Sequence, residues 1–208
     1  MAKVKLTKTA LKQERDALKQ YERFLPTLQL KKQQLQLEMR LCLEQIAANE
    51  ERENASKKAL RSWSALFGDD AVPEMIRRRI AVRAVNTDTM NIAGVNVPKY
   101  RGVDFEELPC DLYLEEPWLD DAVDAVRKIV EIRKERDVIR EQYRLIGQEL
   151  RTTTQRVNLF EKVKIPEAKE NIRIIQIAIG DAQTSAVVRS KIAKKKLQGE
   201  EGAAGSYR

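Results

Sequence analysis

The chain has 208 residues, of which 34% are charged and only 5% aromatic, and it contains no histidine. This composition is typical of long helices or a coiled coil, because a compact globule usually carries more aromatic residues and turns. The lack of histidine removes the usual general base and a common metal ligand, which disfavours an enzyme. The net charge of +7 is uneven. Basic flanks at 1–67 and 118–208 enclose an acidic middle at 68–117, which indicates different partners for different segments.

The N-terminal segment carries apolar side chains in a heptad repeat. One row steps by sevens from Val4 to Phe67, and a second row begins three residues later at Thr7. Three further leucines widen the stripe in the middle: Leu30, Leu37 and Leu41. This order predicts one long coiled-coil helix over residues 1–67, capped by Thr7 or Thr9 and stopped by residues 68–70.

The middle segment, residues 68–117, favours β-structure. Two runs rich in β-branched residues, 79–85 and 91–97, are separated by the turn-forming sequence NTDT at 86–89. We therefore predict a β-hairpin that turns at 86–89, with a bulge at Gly94 where the alternation shifts. Four breakers predict that the rest of the segment is loop: Pro98, Gly102, Pro109 and Pro117.

Helical spacing returns over residues 118–197. Steps of four and three from Ala125 to Lys164 meet mostly apolar residues, and the spacing continues through Ala168, Ile172, Ile175 and Ile179. Asp120 and Asp121 suit the first turn, where the helix dipole favours negative charge. The small, polar residues 198–208 predict a disordered tail.

Two striped helices must bury their apolar faces, so the predicted fold is mainly α-helical. The N- and C-terminal helices form a long antiparallel two-helix coiled coil, with the hairpin segment at the bend. If Phe67 lies opposite Leu119, Pro26 lies opposite Phe160, close to Pro166. Because the stripes keep their phase across Pro26 and Pro166, we predict matched kinks rather than helix ends.

No catalytic, cofactor-binding or metal-binding pattern is recognisable in the sequence. Phosphate-loop, dinucleotide-binding and zinc-protease motifs are missing, and Cys42 and Cys110 form no metal-ligand pair, as in a reduced cytosolic protein. The basic run 191–196 has three possible interpretations: a solvated helix end, a site for an acidic partner, or a nucleic-acid contact. Residues 77–79 are interpreted as charged loop residues that face solvent. No apolar run is long enough to span a bilayer, and the start does not resemble a signal peptide, so a soluble protein is expected.

Three stretches nevertheless carry a resemblance: LPTLQLKKQQLQLEMR (25–40), NIAGVNVPKYRGVDF (91–105) and RVNLFEKVKIPEAKENIRIIQIAIGD (156–181). In the same order, and over nearly the whole chain, they resemble the D subunit of V/A-type ATPases and ATP synthases in its bacterial form. The most specific part of the resemblance comprises Arg156, Val157, Asn158, Glu161, Ile165 and Pro166.

The resemblance implies a central rotor shaft that performs no chemistry and holds no nucleotide or other cofactor. Its implied partners are the catalytic ring of A and B subunits, the small F subunit and the socket subunit (C/d type) above the membrane ring. The shaft would couple ion flow to ATP synthesis or hydrolysis, in the cytoplasm and peripheral to the inner membrane. Candidate ring contacts are Lys191, Lys194, Lys195 and Lys196. Candidate contacts to the small subunit are Ile80, Val82, Val85, Ile92, Val95 and Val97.

One departure from the family limits this transfer. Many members carry an acidic run resembling LDExERE after the isoleucine-rich segment, whereas this chain reads IGDAQTSAVVRSK at 179–191. Contacts that depend on that acidic run are therefore not expected here. Two alternatives share the helical periodicity: a free-standing coiled-coil scaffold and, less favoured, a basic helical nucleic-acid-binding protein.

Overall fold

The computed structural model describes residues 5–61, 76, 79–106 and 118–204. In chain order these form helix α1 (Lys8–Arg61), strands β1 (Val82–Ile92) and β2 (Val95–Phe105), helix α2 (Leu119–Leu159), a π-helical turn (Phe160–Lys164) and helix α3 (Ile165–Ala204). The prediction of a mainly helical chain with a small β-hairpin between two helical segments is confirmed. Several predicted features lie outside the described residues: Val4, Phe67, residues 68–70, Arg77, Arg78, Pro109, Cys110 and Pro117.

The chain divides into two compact units. The hairpin unit comprises Leu30–Thr154, and the terminal unit comprises Met1–Gln29 together with Gln155–Arg208. Each unit combines residues from both halves of the chain, so the units do not follow the segment boundaries predicted at 67, 117 and 197. Helix α3 also continues to Ala204, past the predicted start of the tail at 198.

Within the hairpin unit, α1 and α2 run antiparallel. Lys31 Nζ lies 2.6 Å from a Glu149 carboxylate oxygen, and Arg52, further along α1, pairs with Glu135, which is earlier in α2. From Leu35 onward, every described member of the predicted α1 rows is buried or half-buried: Leu35, Met39, Cys42, Ile46, Asn49, Glu53, Ser56 and Leu60. The heptad pattern therefore predicts the inward face of this unit correctly.

The predicted widening of the α1 stripe is wrong. Leu30, Leu37 and Leu41 are 61%, 56% and 41% exposed, respectively. All three lie off the two inward rows, and a pair of helices covers only the narrow seam between them.

The hairpin turns at a different place from the one predicted. Strands β1 and β2 pair antiparallel from Val82↔Phe105 to Ile92↔Val95, and the chain reverses at Ala93 and Gly94. Both turn residues have positive φ, 50° and 83°, as in the two-residue turns that match strand twist. The sequence NTDT at 86–89 lies inside β1 instead, where Asn86 donates to Asp104 and Asp88 accepts from Arg101 across the strands.

The predicted bulge and loop residues are also corrected. The register shifts lie between Val82 and Ala84 and between Asn86 and Thr87, not at Gly94, and Pro98 and Gly102 lie inside β2. Pro98 is tolerated because β2 has one unpaired edge. Its carbonyl faces that edge and accepts a hydrogen bond from the side-chain amide of Gln142.

Within the terminal unit, the two halves of the chain again run antiparallel. Tyr21 stacks on Phe160 with ring centroids 5.4 Å apart, and Glu14 accepts a hydrogen bond from Asn171, further along α3. Among the described residues after Gln155 in this unit, the buried ones are Val157, Ala168 and Ile175. Thr7 caps α1 as predicted, because its Oγ1 accepts the backbone N–H of Ala10 at 3.2 Å.

Both predicted kink positions lie in the terminal unit. Helix α1 continues through Pro26 without a break, and Pro166 stands in the first turn of α3, directly after the π turn. Lys169 pairs with Glu22 at 3.4 Å, which brings the two prolines to a similar level, as the sequence predicted. The direction and angle of a bend at either proline stay predictions.

Candidate partner-binding surfaces

The described residues offer no constellation for catalysis. Among them, no group of three His, Cys, Asp or Glu side chains could hold a metal ion, and no helix has the length and apolarity to cross a membrane. Burial, aided by the Glu38 charge, raises the pKa of the Cys42 thiol, so this side chain packs as a neutral thiol. The polar groups that the structure does assemble serve contacts between its own elements.

The most concentrated charge in the hairpin unit surrounds Glu53. Its carboxylate lies 2.8 Å from Arg133 Nε, 2.6 Å from an Arg136 nitrogen and 2.7 Å from Lys57 Nζ, and its side chain is only 5% exposed. The hydrogen bond from Lys57, followed by that from Arg133, holds the pKa of Glu53 at about 2, below its ordinary 4.5. This cluster ties α1 to α2 and engages the Glu53 carboxylate fully in ion pairs.

Sequence reasoning missed this cluster. Asn49 and Glu53 interrupt the apolar rows of α1, yet both are buried, at 3% and 4% exposure. The available signal was complementary charge on the opposite helix, where Arg133 and Arg136 stand three residues apart. Residues at that spacing share one face of a helix, so two arginines can reach one carboxylate.

A second polar interaction, which sequence reasoning also missed, connects α1, α2 and β2 through the side chain of Gln142. The Gln142 amide nitrogen donates to the Pro98 carbonyl on β2, and its amide oxygen lies 4.0 Å from the Cys42 sulfur on α1. Beside it, Val97 is fully buried in a cluster with Leu35, Cys42, Ile139 and Ile146. The hairpin is therefore packed against both helices of its unit.

This packing determines which of the six predicted small-subunit contacts are exposed enough to meet a partner. Val97 is fully buried, and Ile92 and Val95 pack against the same cluster. Ile80 packs against a second cluster built on Leu119, Ala122 and Val123. Of the six candidates, Val82 is 39% exposed, and Val85 is half-buried outside both clusters. Val82 is thus the most accessible of the six candidates, and the other five are half-buried or buried.

A groove opens between the hairpin and the two helices of this unit. Six of its lining residues are Leu41, Cys42, Met90, Ile92, Tyr100 and Ile139. Met90 and Leu41 are 37% and 41% exposed, so the groove joins the hairpin surface to the outer leucines of α1. Sequence reasoning did not find this groove, because it depends on how the hairpin folds back over the helices.

The signature residues divide between packing and surface. Val157 is buried and Ile165 half-buried, whereas the other four are exposed: Arg156, Asn158, Glu161 and Pro166. Among the described residues, the side chains of Arg156, Asn158 and Glu161 have no hydrogen-bond or ion-pair partner. They present mixed charge in and beside the π turn.

The predicted ring contacts lie on a part of α3 that no described residue of its unit covers. Every residue from 180 to 196 is exposed, including Lys191, Lys194, Lys195 and Lys196. Three apolar side chains accompany these lysines, because Val187, Val188 and Ile192 are 55%, 49% and 53% exposed. We call residues 180–196 the uncovered end of α3. The sequence prediction considered its charge and overlooked its apolar residues.

The sequence of the chain is similar to known proteins of one family. The family model that describes the D subunit of ATP synthase matches residues 10–195. The chain is 41% identical to the D subunit of the V-type ATP synthase of Borreliella burgdorferi, over 95% of this chain and 96% of the relative. It is 32% identical to the V-type D subunits of Chlamydia caviae, over 95% of both chains, and Chlamydia muridarum, over 95% of this chain and 97% of the relative. The chain belongs to the family of ATP synthase D subunits.

Proposed function

We propose that the chain is the central shaft subunit of a rotary V-type ATP synthase or ATPase. It couples ion movement through a membrane ring to ATP synthesis or hydrolysis in a catalytic ring, and it performs no chemistry itself. The observation that carries this proposal is family membership over almost the whole chain. Membership also disfavours a free-standing scaffold or a nucleic-acid-binding protein.

The uncovered end of α3 is the surface proposed to contact the catalytic A and B subunits. It combines exposed lysines with exposed valines and an isoleucine, so it can contact a partner of mixed character while remaining water-compatible alone. Lys191, Lys194 and Lys195 share one helical face, which suits acidic residues on the inner wall of a ring.

The hairpin unit is the surface proposed to contact the small F-type subunit. Val82 and Met90 are exposed apolar residues of β1, Val85 is half-buried, and Met90 also lines the groove together with Leu41. The socket subunit above the membrane ring is the third proposed partner. The chain is thereby held on the cytoplasmic side, peripheral to the inner membrane.

Affinity capture from native host membranes tests the assignment. The full chain carries a tag after residue 208, and the recovered proteins are identified by mass spectrometry. We expect the A and B subunits together with a small F-type subunit. Recovery of nucleic acid or unrelated proteins, with no ATPase component, would contradict the proposal.

Paired charge reversals test the two surfaces separately. Lys194→Glu with Lys195→Glu should reduce recovery of A and B, while the equally charged control Lys58→Glu with Lys128→Glu, exposed in the hairpin unit, should not. Val82→Asp with Val85→Asp should reduce recovery of the F-type subunit. Its matched control is Thr87→Asp with Thr89→Asp on the same strand. Circular dichroism first establishes that each variant remains folded.

A further inference from the structure

The inward row of the C-terminal half changes phase at the π turn. Up to Lys164 the row advances by threes and fours, and the same steps would next place residues 167, 171, 174 and 178 inward. Instead, Ala168 and Ile175 are buried, at 3% and 0% exposure, while Ile174 is 42% exposed. Two positions of the row have therefore moved by one residue, from 167 to 168 and from 174 to 175, whereas Asn171 and Ala178 remain half-buried where the steps place them.

The π turn absorbs this extra residue. The backbone N–H of Ile165 donates to the carbonyl of Phe160, five residues earlier, so this turn holds one residue more than an α-helical turn. Helix α1 shows no matching shift, because its strict heptad positions from Leu11 to Leu28 are all half-buried. The extra residue belongs to the C-terminal side of the terminal unit alone.

Backbone hydrogen bonding is interrupted in both halves of this unit at one level. Pro166 follows the π turn and Pro26 lies within α1, and each proline lacks the N–H that would continue its helix. The Tyr21–Phe160 stack and the Glu22–Lys169 ion pair hold the two halves together there. Side-chain contacts thus bridge the level at which each backbone lacks one amide donor.

We propose that the π turn, together with Pro26 and Pro166, is a built-in joint of the terminal unit. At this joint the helix opens locally and α3 twists about the Tyr21–Phe160 stack, while Ala168 and Ile175 stay packed. The extra residue, not the proline alone, creates the joint. The joint is a property of the chain itself and does not depend on the proposed function.

Amide hydrogen exchange on the full chain tests the joint directly. We expect residues 161–165 to exchange at least about fivefold faster than residues 168–178, the factor that one lost net backbone hydrogen bond produces. Equal protection in the two segments of the unmodified chain would overturn the proposal without any variant.

Two deletions test the cause. Deleting Val163, which is 47% exposed, removes one residue from the turn, so a continuous α-helix would still bury Ala168 and Ile175. We expect this deletion to abolish the fast exchange and to preserve helicity. The control deletion of Ala186, in the uncovered end of α3, shortens the chain equally and should leave the fast exchange unchanged.

Pro166→Ala separates the extra residue from the proline. We expect this variant to keep the fast exchange, because the phase of the row still requires the extra residue. Loss of fast exchange in Pro166→Ala would assign the joint to the proline and overturn the proposal. The proposal would also be overturned if the Val163 deletion variant stayed folded and kept its fast exchange, or if that deletion caused a loss of helicity.

Discussion

At the scale of the residue, buried charge at Glu53 is the feature that most departs from an apolar coiled-coil seam. Three cations surround the carboxylate, two of them from the opposite helix. Removing a charge from water is costly, and these hydrogen bonds offset that cost only in one register of α1 and α2. The cluster therefore contributes to register more clearly than to net stability.

Glu53→Gln should lower the free energy of unfolding by about 2–3 kcal/mol at pH 7. The amide keeps the size of the side chain but leaves Arg133 and Arg136 without their shared anion. Urea unfolding followed by circular dichroism measures the change. The control is Glu50→Gln, which removes an exposed pair with Arg140 at 3.4 Å and should change stability by less than about 0.5 kcal/mol. Equal effects of the two variants would contradict the structural role of Glu53.

The depressed pKa of Glu53 also predicts a pH dependence. Its folded-state pKa of about 2 lies below the ordinary 4.5, so the stability it contributes is fully present above pH 4.5. As the pH falls from 4.5 toward 2, the carboxylate takes up a proton in the unfolded chain but stays ionised in the folded one, so that contribution is progressively lost. The stability difference between the unmodified chain and Glu53→Gln should therefore shrink across this window. Unfolding curves at several pH values measure it, and a difference that stays constant down to pH 2 would refute the assignment.

At the scale of the element, the heptad rows separate structural leucines from surface leucines. Leu35 is fully buried between α1, α2 and the hairpin, whereas Leu37, two residues later, is 56% exposed. The two residues have the same chemistry and the same helix, so the difference arises from helical phase alone.

Leu35→Ala should reduce the free energy of unfolding by about 2–5 kcal/mol, because it removes buried apolar surface and leaves a cavity. Leu37→Ala serves as the matched control and should change stability by no more than about 0.5 kcal/mol. Thermal and urea unfolding of both variants provide the measurement. A Leu37→Ala loss as large as that of Leu35→Ala would mean that the inward face is misplaced.

The hairpin turn gives a second prediction at this scale. Gly94 has a φ of 83°, a conformation that side chains disfavour, although a Cβ there would meet nothing closer than Lys31 Nζ at 3.8 Å. Gly94→Ala should therefore cost about 1 kcal/mol through backbone strain rather than through a clash. At Gly102, by contrast, a Cβ has open space and φ lies outside that region, so Gly102→Ala should be close to neutral. Urea unfolding compares them, and a larger loss at Gly102 would contradict the turn assignment.

At the scale of the whole molecule, the buried clusters and the longest exposed stretch lie in different parts of the chain. Both clusters of buried residues lie in the hairpin unit, one around Leu35 and Val97 and the other around Leu119 and Val123, whereas residues 180–196 are exposed throughout. Side chains that bury nothing add little to the stability of the isolated chain. The chain thus keeps a long surface available outside its own core.

Removal of residues 191–208 should change the free energy of unfolding, measured by urea titration, by no more than about 0.5 kcal/mol. A truncation after residue 167 is the contrasting variant, because it also removes the buried Ala168 and Ile175 and should destabilise the terminal unit clearly. In the assembled complex, loss of 191–208 should weaken the coupling of ATP hydrolysis to ion transport more than it weakens folding. Coupling that is unchanged by this truncation would count against the proposed role of the uncovered end.

Residue spacing in the sequence is sufficient to predict the helices, most of their inward-facing residues and the resemblance to the family. Heptad periodicity is local information, and it correctly places Leu35 on the inward face of α1 and Ile146 on the inward face of α2. The sequence also predicts that Leu37 widens the stripe, and only the packing of the helices shows that it is exposed. Charge pairing between Glu53 and two arginines was visible as residue types, but their meeting depended on the register of two distant segments.

The position of the hairpin turn, and the exposure of its side chains, follow from the tertiary structure and not from local sequence. NTDT has turn chemistry, yet cross-strand pairing places it inside β1, and Ala93–Gly94 reverses the chain instead. Val97 and Val82 look alike in sequence, but one is fully buried against the helices and the other is 39% exposed. Strand propensity depends on what covers each face of a strand, and that is settled by packing between segments far apart in the chain.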